Sequence, residues 1–379
     1  MAERTPLSWR RLWAVVRKEF IQMRRDRLTF AMMVGIPIIQ LAIFGYAINM
    51  DPKRLPTAVV VADPSPFARS LVAAVEATGY FSIVAEADTA RAARLLERGD
   101  VQFVLTIPVD FSRRLVRGER PAVLLEADAS DPAATSNALA ALEPLTREAL
   151  RHDLKGALAP LGTGAPAFEW RVHRLYNPEG LTEYNIVPGL MGVILTMTMI
   201  MMTALGMTRE LERGTMENLL AMPVRPLEVM VGKIMSYVLV GYVQVVLILL
   251  AAHYVFAVPV AGSVTWLGIC VLLFIVANLT VGITFSSLAR NQTQAMQMSF
   301  FFFLPSILLS GFMFPFRGMP VWAQAIGEVL PLTHFLRVVR GILLKGYGIA
   351  ESLPHLWPLL LFTVVVMSIG LRRFRRTLD

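Results

Sequence analysis

Charge is scarce in this chain. Aspartate, glutamate, lysine and arginine make up 17% of its 379 residues, where a soluble globular protein carries roughly 25%. Six apolar runs, at about 28–49, 185–207, 234–257, 264–289, 295–313 and 355–371, hold none of the four. Lacking Asp, Glu, Lys and Arg, the runs show no proton relay or ion pair of these groups, which argues against a proton-driven carrier and an ion pump. Cysteine occurs once, as Cys270 inside an apolar run, which excludes a disulfide or a cysteine metal site within the chain. No G-x-x-x-x-G-K-[ST] loop occurs. Gly232–Lys233 is followed by Ile234 and lacks the upstream glycine, so this chain carries no nucleotide site of its own. H-E-x-x-H and G-x-S-x-G are missing too. The five histidines, His152, His173, His253, His334 and His355, are scattered. No catalytic residues and no metal ligands are assigned.

What the chain has is apolar side chain, at 55%. The 28–49 run extends about 33 Å as a helix, enough for a hydrocarbon core of ~30 Å. The class is therefore an α-helical integral membrane protein with six transmembrane helices. The net charge of +8 does not point to nucleic acid, because the basic residues cluster beside the ends of the apolar runs, as lipid anchors do. Residues 1–27 hold eight Lys/Arg, 208–233 four, 290–294 one and 372–379 four. If the spans alternate, all of these fall on one side. The short segments opposite, 258–263 and 314–354, hold none and four. The positive-inside rule then puts both termini in the cytoplasm.

Taken in order, residues 8–26 carry a narrow stripe of Trp9, Leu12, Trp13, Val16, Phe20 and Met23 opposite Arg and Lys. A helix lying in the membrane interface fits this pattern, and so does a partner-binding or solvated helix. Residues 28–49 read as transmembrane helix 1, bent at Gly35 and Pro37. The run is too long for a signal-peptide core, and no small-x-small cleavage site follows.

Residues 50–184 change character. Strands are expected at Thr57–Ala62, Phe81–Ala85, Val101–Ile107, Ala122–Ala127 and Glu169–Leu175. Helices are expected at Phe67–Thr78, Thr89–Arg98, Asp110–Arg117 and Ala133–Lys155. This alternation argues for an inserted α/β periplasmic domain with largely parallel strands. Glu126, Asp128 and Asp131 have the composition of a cation site, but Asp131–Pro132 is better read as the start of the long helix.

Arg209–Lys233 holds eight charged residues between two apolar runs. Each would cost ~2.5–3.5 kcal/mol at the centre of a spanning helix, so the stretch lies in water beside the membrane. Met216, Leu219 and Leu220 follow helical spacing, Arg213 and Glu217 can pair at i, i+4, and Pro223 and Pro226 end the helix. Such a short amphipathic element suits force transfer from a soluble partner, or is an ordinary loop helix. In 314–354, Met319–Leu330 and Thr333–Leu344 are two helices too short to span, read as outer re-entrant helices at about 319–344. Gln40, Asn185, Gln244, Asn278, Gln294 and Gln297 lie in the spans and need partners there, either as helix–helix contacts or along a pathway.

A series of motifs adds to this reading. It runs through Tyr176-Asn177-Pro178, Val187-Pro188-Gly189 and Arg209-Glu210-x-Glu212-x-Gly214-Thr215-x-Glu217 with Leu219-Leu220. It continues with Gln292-x-Gln294-Ala295, Ser310-Gly311-Phe312-x-Phe314-Pro315 and Leu344-Lys345-Gly346. The chain resembles bacterial type-2 ATP-binding-cassette (ABC) exporter permeases, in the subfamily with a large external domain between spans one and two. That resemblance implies an inner-membrane transport subunit of residues 185–379, with a coupling helix at about 209–222 and an interfacial helix at 1–27. The coupling residues would be Arg209, Glu210, Glu212, Arg213, Gly214, Thr215, Met216, Glu217, Leu219 and Leu220. It further implies two separate ATPase subunits that bind ATP and Mg, a second permease, identical or paralogous, and a periplasmic adaptor. The few polar groups in the spans suggest a hydrophobic or amphipathic cargo. The competing reading is a membrane-anchored receptor whose external domain senses a ligand; a membrane-embedded enzyme is disfavoured by the absence of clustered acids or histidines.

Overall fold

A computed structural model describes residues 52–162, 165–212 and 226–375. The 1–27 segment, the 28–49 run with Gln40, and Arg213, Gly214, Thr215, Met216, Glu217, Leu219 and Leu220 lie outside the described residues.

The first part is an α/β layer. Its strands are β1 (Leu55–Val61), β2 (Phe81–Glu86), β3 (Phe103–Ile107), β4 (Ala122–Asp128) and β5 (Glu169–Leu175), in sheet order β2-β1-β3-β4-β5. β1 pairs in parallel with β2 and β3, and β4 with β5; β3 and β4 are antiparallel. Alternation along β1 explains the layering, since successive side chains point to opposite faces. Leu55 and Val59 join Leu71 and Val75 of α1 (Pro66–Ala77) and Phe111 and Leu115 of α3 (Phe111–Val116). Ala58 and Val60 join Ala92 and Leu96 of α2 (Thr89–Arg98) on the other face. The helix starts are marked in the sequence: Ser65 Oγ accepts the Ala68 N–H at 3.3 Å, and Asp88 Oδ1 accepts that of Arg91 at 2.7 Å. Such side-chain caps satisfy amides that have no partner inside the helix.

One expected helix is broken. Ala133–Lys155 divides into α4 (Pro132–Ala140) and α5 (Leu145–Glu148), followed by turns and a short α6 (Ala159–Gly162). Pro144 has no N–H to donate to the Ala140 carbonyl, and its ring crowds that carbonyl.

The second part is helical. α7 (Thr182–Glu212), α8 (Pro226–Tyr254), α9 (Val264–Leu288) and α13 (Ile349–Arg375) contain the four described segments long and apolar enough to cross a membrane. The 295–313 run forms α10 (Gln292–Leu309), which ends four positions before the run does and is not among those four. Pro226 opens α8, where its missing N–H costs nothing at the first helical position; Pro223 and most of the helix expected before it lie outside the described residues. α7 and α9 are central, with 56% and 67% of their apolar windows buried; α8 and α13 are peripheral, at 17% and 22%.

The 314–354 segment folds as α11 (Val321–Gly327), α12 (Pro331–Arg340) and a π-helical turn at Gly341–Lys345. The sequence puts Trp322, Ile326, Val329 and Leu330 on one apolar face and Phe335, Val338, Val339 and Ile342 on another. Trp322, Ile326 and Val329 are exposed and Leu330 is buried, whereas the whole second face is buried with α7 and α9 in the main core. Phe335 stacks on Phe274 of α9 with ring centroids 4.0 Å apart.

Candidate transmission site

α7 is the element that joins the parts. Its 31 residues make a rod of about 46 Å at 1.5 Å per residue. Its first turns touch the α/β layer, where Asn185 Nδ2 donates to Asp131 Oδ1 at 3.4 Å. Burial pushes the Asp131 carboxyl above its ordinary range, and nearby Arg340 opposes that shift. The approach to α7 is set by buried Asn177, whose Nδ2 donates to the Leu181 carbonyl at 2.9 Å and whose Oδ1 accepts the Leu181 N–H at 2.8 Å. That closure accounts for the Tyr176-Asn177-Pro178 motif.

At its far end α7 carries the start of the charged segment. Glu212 accepts the Gln292 backbone N–H at 2.8 Å with one oxygen and the Gln292 side-chain amide with the other. Arg209 Nε donates to Gln292 Oε1 at 3.4 Å. Gln292 stands in a stiff turn. Asn291 Oδ1 accepts the Gln294 N–H, and Gln294 Oε1 accepts the Arg290 N–H, both at 2.8 Å. This reciprocal arrangement resembles a capping box at the start of α10. Of the coupling residues named from the sequence, Arg209 and Glu212 are thus brought onto Gln292. Gln292 was not among them, although the Gln292-x-Gln294-Ala295 motif contains it. Glu210 lies on the last turn of α7.

The polar residues of the spans divide. Gln244 of α8 accepts the Thr198 hydroxyl of α7 at 2.9 Å. Asn278 of α9, fully buried, donates to the Phe274 carbonyl of its own helix at 2.8 Å. Gln294 sits in the turn just described, Asn185 at the α/β layer, and Gln297 is half-buried on α10. Close helix approach at the centre depends on Gly282 of α9. A Cβ there would lie 2.7 Å from Thr203 Cβ and 2.8 Å from the Ile200 carbonyl oxygen of α7. Between α7 and α10 a narrow crevice is lined by the apolar Ile200, Met201, Phe300 and Phe303 and by the hydroxyl residues Thr196 and Ser299. Among the described residues no group of three or more His, Cys, Asp or Glu is placed to hold a metal ion.

Residues 27–372 match the family described as ABC-2 family transporter protein. The chain belongs to that family. It is a transport permease of the ABC-2 type. It is 29% identical over 379 residues to the probable multidrug ABC transporter permease YbhS of Escherichia coli, covering 98% of this chain and 99% of that one. Against the probable multidrug ABC transporter permease YbhR of the same organism the identity is 26%, over 97% and 98% of the two chains. The inner membrane transport permease YhhJ, also from E. coli, is 30% identical over 75% of each chain.

Proposed function

We propose that this permease is the membrane half of an ATP-driven exporter of hydrophobic or amphipathic molecules, multidrug compounds among them. It resides in a bacterial inner membrane with both termini in the cytoplasm. Six spans cross the bilayer, with 28–49 and 295–313 joining the four apolar helices, and the α/β layer of 50–184 stands in the periplasm. Two separate ATPase subunits hold ATP and Mg and seat the coupling helix at about 209–222. A second permease, identical or paralogous, completes the membrane part, and a periplasmic adaptor meets the external domain.

The observation that carries this reading is the continuity of α7. One helix runs from Asn185 at the α/β layer to Glu212 at the charged segment, and at that end it is held to Gln292 of another helix. Displacement of the charged segment therefore moves two bundle helices together. ATP binding shifts the packing only if docking differs between the inward- and outward-open states. Charges at Glu210, Glu212, Arg213 and Glu217 set the docking register, and Met216, Leu219 and Leu220 supply the buried contact.

The test is Leu219→Asp together with Leu220→Asp in the reconstituted complex. Cargo-stimulated ATPase activity should collapse while the permease keeps its melting temperature. Unchanged stimulated turnover would falsify the coupling assignment.

A further inference from the structure

We propose that the α/β layer is latched onto the outer helix pair by a buried Asp128–Lys345 ion pair and travels with that pair during transport. The latch is a contact within the chain and is present whatever the chain carries; its role in transport rests on the exporter reading above.

The contact has three parts. Asp128 ends β4, and its Oδ2 meets Lys345 Nζ at 2.5 Å, with side chains only 8% and 6% exposed. Its other oxygen accepts the Ser130 N–H at 3.1 Å, so the carboxylate is satisfied on both sides. Lys345 Nζ also lies 4.9 Å from the Tyr176 ring centroid, a favourable place for a desolvated ammonium. The second and third parts converge on the C-terminal end of α2. Tyr347 Oη donates to the Glu97 carbonyl at 2.8 Å, and Arg317 Nη2 donates to the Gly99 carbonyl at 2.6 Å. Carbonyls at a helix C-terminus have no partner inside their helix and carry partial negative charge. Here a phenol and a guanidinium from the outer segment serve them.

All three donors come from the segment that includes α11 and α12. Lys345 and Tyr347 are delivered by the π-helical turn, where the Tyr347 N–H donates to the Gly341 carbonyl at 3.0 Å. Gly346, at φ +75°, then turns the chain in a conformation that L side chains rarely adopt. Such wide turns recur at functional positions in helices. The same segment is anchored in the bundle through Phe335 on Phe274 and through buried Ile342 and Leu343. A shift of α12 against α9 is therefore passed to β4 and α2. Rupture of the pair in mid-cycle is strongly disfavoured, since it leaves an uncompensated buried charge on each side. The external domain is in this sense a moving part, and its displacement is the signal available to a partner outside the membrane.

The experiment compares Lys345→Met, Tyr347→Phe and the double variant Asp128→Leu/Lys345→Met in the full-length chain, using amide hydrogen exchange and cargo-stimulated ATPase activity of the assembled complex. Lys345→Met should raise exchange at 128–130 by roughly tenfold or more, as expected when a buried charge loses its partner, and should cut stimulated turnover. The apolar double variant should recover both, because replacing a buried pair by well-packed apolar groups is often neutral. Tyr347→Phe keeps the ring packing, so it should fold, and should raise exchange at 97–99 alone. Unchanged exchange in both single variants overturns the latch. Raised exchange with undiminished turnover overturns its role in transport. If the wild-type complex shows no stimulated turnover, the exporter reading falls, and the exchange measurements still decide the latch.

Discussion

Glu212 and Gln292, eighty positions apart in the chain, are joined by two hydrogen bonds that Gln292 donates to one carboxylate. The contact fixes where the charged segment leaves the bundle. Hydrogen bonds to charged groups contribute about 1.5–3 kcal/mol, and at an exposed site the lower end applies. Glu212→Ala and Gln292→Ala should each lower cargo-stimulated ATPase several-fold, leaving the chain folded. The double variant should be no worse than the poorer single one. Strictly additive losses in this double-mutant cycle would show that the two residues act separately.

Gln244 and Thr198 pose the choice between helix contact and pathway. The Thr198 hydroxyl also lies 2.7 Å from the Ile194 carbonyl oxygen of its own helix; its one proton serves one acceptor at a time, so it keeps a partner when Gln244 is removed. Hydrogen bonds between membrane helices average about 0.6 kcal/mol. Gln244→Leu should thus lower the melting temperature in detergent slightly and leave export of the preferred cargo intact. Export lost at unchanged stability would make Gln244 a pathway residue instead.

The α/β layer was largely legible because its signals are local. Thr57–Ala62, a run of apolar and β-branched residues, announces a strand, and β1 (Leu55–Val61) is covered on both faces. The break at Pro144 was equally local, but it was hidden in a run of good helix formers. The outer pair was harder. Trp322, Ile326 and Val329 have the same spacing as Phe335, Val338 and Ile342, yet the first set is exposed and the second is core. An apolar face reads alike whether lipid or protein covers it. Composition groups Asp128 with Glu126 and Asp131 as a candidate cation site, and its actual partner Lys345, 217 positions on, has no local signature. Pairings of this kind depend on how two layers meet, which no periodicity encodes.

Gly282 tests how tightly α7 and α9 must pack. Its neighbours are Thr203 Cβ and the backbone carbonyl of Ile200, and a methyl group at Gly282 would come within 2.7 and 2.8 Å of them. A carbonyl cannot rotate away as a side-chain tip can, so the helices themselves must separate. Overpacking of this kind costs about 1–3 kcal/mol. Gly282→Ala should lower the melting temperature by several degrees, and Gly282→Leu should abolish accumulation of folded permease. A Gly282→Leu chain of wild-type stability would show that the two helices do not meet there.

Asp63 gives a prediction that depends on pH. It follows β1, and its two oxygens accept the N–H groups of Ser65 at 3.1 Å and Ser112 at 2.6 Å. Ser112 lies in the first turn of α3, whose own cap residue Asp110 makes no capping hydrogen bond. Asp63 therefore caps α3 from a distance and ties it to the end of β1. Burial alone would raise its carboxyl pKa; the hydrogen bonds from Ser112 and Ser65 outweigh that and hold it below the ordinary aspartate range. A carboxyl depressed in the folded state stabilises the fold above its unfolded pKa of about 3.9. That contribution is lost as pH falls through the folded value. Amide exchange at Ser65 and Ser112 should thus stay slow at neutral pH and accelerate below about pH 4. Asp63→Asn, which cannot ionise, should lose about 1–2 kcal/mol at neutral pH and show a flatter acid limb. Parallel acid limbs in the two proteins would mean that another carboxylate governs acid opening of the α/β layer.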